Sequence, residues 1–155
     1  MAAKKTAKTD SPLPPDLQAE LKDAIAKGYK HLKLKSGCSA KKVQQAMFAA
    51  IEEVYSGKKK LKKQALEDLG TDLGCLWGQT LVDEFGWEWC MADLKGDVFV
   101  AVVSPNRAYA TQPLGFITEQ LQKRYPEDID SLIAFNMIAG GKYSKGKAND
   151  YHVFA

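Results

Sequence analysis

Long apolar runs are missing from this chain. The longest are short, such as VFVAVV from Val98 to Val103, far below the ~20 residues a membrane-spanning helix needs. The opening lysines, in MAAKKTAKTDSPLPP, are followed by no apolar segment, so no secretory signal is read there. Arginine is too scarce for a transit peptide. Histidine is limited to His31 and His152, and the three cysteines, Cys38, Cys75 and Cys90, form no Cys-x-x-Cys pair. Zinc usually takes four such ligands at tight spacing, so no metal site is expected. The odd cysteine count predicts free thiols and a cytoplasmic location. No Gly-x-Gly-x-x-Gly or complete phosphate loop occurs. GGKYS (Gly140 to Ser144) lacks the upstream strand and first glycine, so no cofactor is expected. Neither histidine lies in a recognisable Cys–His or Gly-x-Ser-x-Gly context. These absences favour a non-enzymatic role and leave a dispersed active site open.

What is present is ordinary globular composition: 155 residues, 45% apolar and 26% charged, enough for one domain with a sizeable core. Residues 1–12 read as a disordered arm and 13–155 as one domain, with 142–155 a flexible tail or YHVFA an edge strand. A first helix is predicted from Pro15 to Lys27, with Leu17, Leu21, Ala24 and Ile25 on one face and Gly28 beyond its end. Ser39 is a suitable N-cap for a second helix bearing Val43, Met47, Ala50, Ile51 and Val54. A third starts within GKKKLKK (Gly57 to Lys63) and ends at Phe85, where Gly86 suits a left-handed stop. WEWCMADL and DVFVAVV then read as strands joined by Lys95–Gly96, which pairs Leu94 with Asp97, Met91 with Val100 and Trp89 with Val102. AYAT (Ala108 to Thr111) is a short third strand. A helix opens at Pro113 and stops before Pro126. Another runs from Pro126 or Glu127 to Gly140, with Ile129, Leu132, Ile133 and Met137 inward. Helices, strands and helices in that order make an α+β fold: N-terminal helices, a small antiparallel sheet, and C-terminal helices packed on it.

The stretch Leu73 to Leu94 holds all three tryptophans. The third helix carries Leu66, Leu69, Leu73, Leu76, Trp77 and Leu81 on a broad apolar face, beside Gly70, Gly74 and Gly78. Each glycine inside a helix costs ~1 kcal/mol against alanine, which points to close approach of another element or of a ligand. Trp77 and Trp89 are expected in the core, with Trp87 partly exposed. The opposite sheet face, bearing Cys90, Ala92, Ala101 and Val103, is expected under the terminal helices or against a partner.

Charge is unevenly spread. Residues 1–63 hold fifteen lysines against six carboxylates; residues 64–155 hold seven cations against thirteen. Two candidate surfaces follow. Asp83, Glu84, Glu88 and Asp97, with Trp87 as an exposed anchor, would form an acidic groove for another protein, such as a basic toxin. Lys58, Lys59, Lys60, Lys62 and Lys63 oppose the macrodipole at a helix start; their alternative role is phosphate contact in a nucleic-acid-binding accessory protein, joined by Lys35, Lys41 and Lys42. No membrane partner is expected.

LGCLWGQTLVDEFGWEW (Leu73 to Trp89), the strand pair, and PNRAYATQPLGFITEQL (Pro105 to Leu121) resemble a family of small bacterial domains of unknown function. The resemblance covers about residues 66–122 and implies a bacterial source. Proteins of this size and makeup are similar to immunity proteins, which neutralise toxins by binding them. It therefore implies a protein-binding role and assigns no catalytic residue.

Overall fold

The computed structural model describes residues 7–122 and 130–155. Its elements are, in order, β1 (Lys8–Ser11), α1 (Pro15–His31), α2 (Ala40–Tyr55), α3 (Lys63–Phe85), β2 (Glu88–Leu94), β3 (Asp97–Val103), β4 (Tyr109–Thr111), α4 (Pro113–Gln122), α5 (Ser131–Ala139) and β5 (His152–Val153). This is an α+β fold, with the five strands in sheet order β1-β2-β3-β4-β5. All pairings are antiparallel except β4 with β5.

The local signals act largely as their chemistry dictates. Ser39 caps α2, its hydroxyl accepting from the Lys42 N–H. Gly86 closes α3 at φ 71°. Lys95 and Gly96 both take positive φ, which a two-residue turn of this hand requires, and the register is the expected one: Leu94 opposite Asp97, Met91 opposite Val100, Trp89 opposite Val102. The three α3 glycines are explained by close approach. A Cβ on Gly74 would lie 2.7 Å from the Leu114 Cα and the Pro113 carbonyl oxygen, and one on Gly78 would lie 2.5 Å from the Trp89 ring. α4 and the first long strand thus rest on the bare backbone of α3.

Other expectations are corrected. Residues 8–11 are not a disordered arm: they pair with β2, Lys8 opposite Leu94 through Ser11 opposite Met91, and so satisfy an open sheet edge. Residues 1–6 lie outside the described residues. Gly28 does not follow α1 but sits buried within it, because a Cβ there would stand 2.8 Å from the Asp72 carbonyl oxygen. α3 starts at Lys63, the last residue of the predicted starting stretch, so Lys58, Lys59 and Lys60 lie in the preceding loop. α5 starts at Ser131, capped by the Asp130 carboxylate. Pro126, Glu127 and Ile129 are outside the described residues. Ala134, Phe135 and Ile138 form its inner face, while Ile133 is exposed.

The C-terminal stretch follows the edge-strand alternative for YHVFA rather than the flexible tail. Tyr151 is buried, β5 pairs with β4, and Phe154 stacks on Tyr143 with centroids 4.0 Å apart. This stretch also reorders the tryptophans. Trp77 is fully buried, donates its N–H to the Ser131 carbonyl at 3.1 Å and packs on Phe116. Trp87, expected to be partly exposed, is buried and meets Phe154 edge-on. Trp89 is only half-buried, with its N–H donated to Gln79 Oε1 at 3.0 Å.

The two sheet faces differ. Val102 joins the helical core, and Trp89 packs over α3. Cys90, Ala92, Ala101, Val103 and Ala110 form a separate cluster on the other face, closed by Tyr151, Leu94 and Phe99. The expected cover by terminal helices is therefore replaced by the C-terminal strap.

Candidate functional site

α1 carries Leu17, Leu21 and Ala24 at helical spacing, and they face β3 and α4 across a groove. Leu13, Cys75, Val100 and Leu114 complete its walls, around a cavity of about 80 Å³. Leu114 reaches this groove because Gly74 lets the start of α4 lie on α3. Val98, at the end of the hairpin, shares the sheet side of Val100 and is 56% exposed. The exposed carboxylate Glu20 on α1 also lines the groove.

The acidic candidates do not converge on one groove. Asp83 accepts from Gln79 Nε2 at 2.8 Å, and Gln79 in turn accepts from Trp89. Glu84 is exposed at the end of α3. Glu88 is paired with Arg107, whose Nη1 donates to it at 3.2 Å. Asp97 lies at the opposite end of the hairpin, opposite Leu94, and six residues of strand separate Leu94 from Glu88, roughly 20 Å. Trp87, the intended anchor, is buried. Sequence charge counts carried no information about this dispersal.

Arg107 organises a cluster that the sequence did not reveal. Its Nε donates to Asp10 Oδ2 at 3.1 Å, and the Tyr151 hydroxyl donates to the same oxygen. Burial opposes ionisation of Asp10, but the hydrogen bonds from Arg107 and Tyr151 outweigh it and hold the carboxyl below its ordinary range. Burial and the bond to Asp10 push the Tyr151 hydroxyl up to about 12. Arg107, Asn149 and Tyr151 all have left-handed backbones, at φ 60°, 62° and 47°. Tyr151 N–H donates to the Arg107 carbonyl at 2.8 Å. Such conformations persist only where surroundings over-determine them. Here they clamp β1, the β3–β4 turn and the C-terminal strap together. Burial raises the Cys75 and Cys90 thiols to about 12, which makes both poor nucleophiles.

The lysine candidates remain at the surface. Lys58, Lys59 and Lys60 are exposed in the α2–α3 loop, Lys62 occupies the N-cap of α3 without a side-chain cap bond, and Lys63 is its first residue. Lys41 and Lys42 open α2, a helix of about 24 Å by its length, so they stand at the far end from this loop. Between α1 and α3 lies an open cleft of about 560 Å³, lined by Lys27, Lys30, His31, Asp68 and Asp72 among others. His31 is exposed and engages Asp72 at 2.9 Å. No short-range sequence signal could have linked them.

Among the described residues no group of three or more His, Cys, Asp or Glu side chains is placed to hold a metal ion, and no helix is long and apolar enough to cross a membrane. No family model matches the chain, and neither the curated proteins nor the solved structures contain a match.

Proposed function

We propose that this chain is a non-enzymatic protein-binding module that receives an apolar segment of another protein in the groove between α1 and the β2–β3 hairpin. The observation that carries this reading is the 56% exposure of Val98 beside a groove walled by Leu17, Leu21, Val100 and Leu114. Single exposed apolar residues need no explanation, but contiguous ones mark interaction surfaces. The carboxylate in the groove wall, Glu20, favours a partner segment that also carries lysine or arginine. A toxin-neutralising role is one form of this reading, suggested by the resemblance to immunity proteins. A non-catalytic role is supported by how the gathered titratable groups are used: Asp10, Glu88, Arg107 and Tyr151 satisfy one another.

The test is size-exclusion analysis of the tagged chain recovered from its source cells, with the Leu17→Asp, Val98→Asp double variant alongside. The expected result is a discrete co-migrating protein that the variant loses while its circular dichroism and melting temperature are unchanged. A complex that survives the double variant would overturn the groove as the site.

A further inference from the structure

A further cavity, of about 330 Å³, lies where the end of α3, the β3–β4 turn and the chain after α5 meet. Its size is at the small end of the roughly 300–1,000 Å³ that small-molecule sites span. Gly86 turns the chain between Phe85 and Trp87, and Gly141, at φ 81°, bends the chain after α5 so that Tyr143 joins them in the wall. Each of these rings is held by a neighbour: Phe85 packs on Phe135, Trp87 meets Phe154 edge-on, and Tyr143 stacks on Phe154. Side chains fixed in advance lose little freedom on binding.

The polar groups of the wall have donors left over and few acceptors. The Ser104 hydroxyl donates to Asn106 Oδ1 and accepts from the Tyr109 N–H, and the Ser144 hydroxyl donates to the Gly141 carbonyl. Asn106 Oδ1 accepts a second bond from the Ala108 N–H. The Asn106 amide nitrogen donates one proton to the Gly146 carbonyl, which leaves its other proton to give. Trp87 is the clearer case. Trp77 and Trp89 both donate their indole N–H groups within the protein. The N–H of Trp87, a buried residue, has no hydrogen-bond partner among the described residues, although a buried indole N–H usually finds one.

The charge around the cavity has one sign. No carboxylate is among the described residues that line it. Lys142 and Lys145, on either side of Tyr143 and Ser144, are exposed and form no ion pair among the described residues. Their flexible stems can bring an ammonium group to its mouth.

We infer that this cavity binds a small aromatic carboxylate, its ring against Phe85, Trp87 and Tyr143 and its carboxylate toward the Trp87 N–H, the Asn106 amide and the two lysines. The ring wall selects an aromatic body. Remaining donors and cations select a group that brings acceptors and negative charge. A neutral sugar is the poorer fit, because its hydroxyl protons would meet a wall with little left to accept them. The cavity shares no lining residue with the apolar groove, so this site does not depend on protein docking there.

The test is a titration of the full chain with benzoate and 2-naphthoate, followed by the indole N–H resonances in nitrogen-15 NMR spectra. The Trp87 resonance, assigned by its loss in Trp87→Phe, is expected to shift saturably while those of Trp77 and Trp89 stay. By calorimetry, 2-naphthylmethanol, which keeps the rings without the charge, should bind roughly tenfold more weakly than 2-naphthoate. Cyclohexanecarboxylate, which keeps the charge without the ring, should bind about three- to tenfold more weakly than benzoate. A Lys142→Gln, Lys145→Gln variant, altered only at exposed positions, should lose roughly tenfold for 2-naphthoate and almost nothing for the alcohol. No saturable shift with either acid at about 1 mM would overturn the proposal. So would equal shifts of all the indoles, equal binding of the alcohol, or undiminished 2-naphthoate affinity in the lysine variant.

Discussion

The two faces of the sheet are built from different materials. The helix-side face presents large groups, Trp89, Met91, Val100 and Val102, to α1, α3 and α4. The strap-side face centres on smaller ones, Cys90, Ala92, Ala101, Val103 and Ala110, flanked by Leu94 and Phe99, and is closed by Tyr151 from the C-terminal stretch and by the Arg107 clamp. The first face depends on shape: bulky side chains and bare glycines, with few polar contacts. The second depends on charge and hydrogen bonds that draw together residues 10, 88, 107 and 151. The first leaves Val98 more than half exposed at its edge, and the proposed docking groove lies on that side.

This contrast predicts graded responses. The largest belongs to the helix side. Trp77→Ala should cost about 3–5 kcal/mol in denaturant unfolding, the usual penalty for emptying a large aromatic site. Arg107→Ala on the strap side should cost less, about 1.5–3 kcal/mol at neutral pH, since it removes hydrogen bonds to two carboxylates, one of them half-sheltered. A loss as large as that of Trp77→Ala would mean that charge rather than shape carries the fold.

pH separates the faces further. The Asp10 carboxyl is held below its ordinary 3.8 in the folded chain. Its stabilisation is therefore present above about 3.8 and lost as pH falls through the lower folded value. The stability difference between parent and Arg107→Ala should shrink in that acid window. That between parent and Trp77→Ala should not follow this titration. Equal acid sensitivity of both differences would break the comparison.

A smaller effect is expected from Gly74→Ala. Alanine gains ~1 kcal/mol of helix propensity, yet its Cβ would press on the α4 backbone at 2.7 Å. Overpacking of this kind costs about 1–3 kcal/mol, so the net change should be a modest destabilisation. A stabilised variant would show that α4 gives way freely. The smallest effect is chemical. In the native chain only the half-buried Cys38 should react promptly with a thiol reagent, and Cys75 and Cys90 only on unfolding. Fast reaction of Cys90 would mean that the strap opens readily.

Legibility in the sequence followed the same division. The hairpin register was readable because alternation and Lys95–Gly96 act within a few residues. Helical spacing exposed the glycine stripe, and close approach was the right reason for it. The same argument was missed at Gly28, where a stop and a contact look alike in sequence. On the strap side only the edge strand in YHVFA was readable. Tyr151 meets Asp10 across nearly the whole chain, and no local pattern carries such a contact. The inversion of Trp87 and Trp89 has the same origin: nearness to the Gly86 turn suggested partial exposure of Trp87, but Phe154 supplies its cover. Of the candidate surfaces, the exposure of the lysine loop was readable because its charges are consecutive. The acidic groove failed because charges counted along a chain need not gather in space, as Glu88 and Asp97 show.

Val98 and Phe99 are neighbours on β3 with side chains on opposite faces, the first exposed and the second packed against the strap-side cluster. A photo-activatable residue placed at each in turn, in source cells, tests most directly whether the helix-side groove is the docking surface. The account predicts a discrete protein cross-link from position 98, lost with Leu17→Asp, and none from position 99. The same cross-link from both, or from position 99 alone, would contradict it.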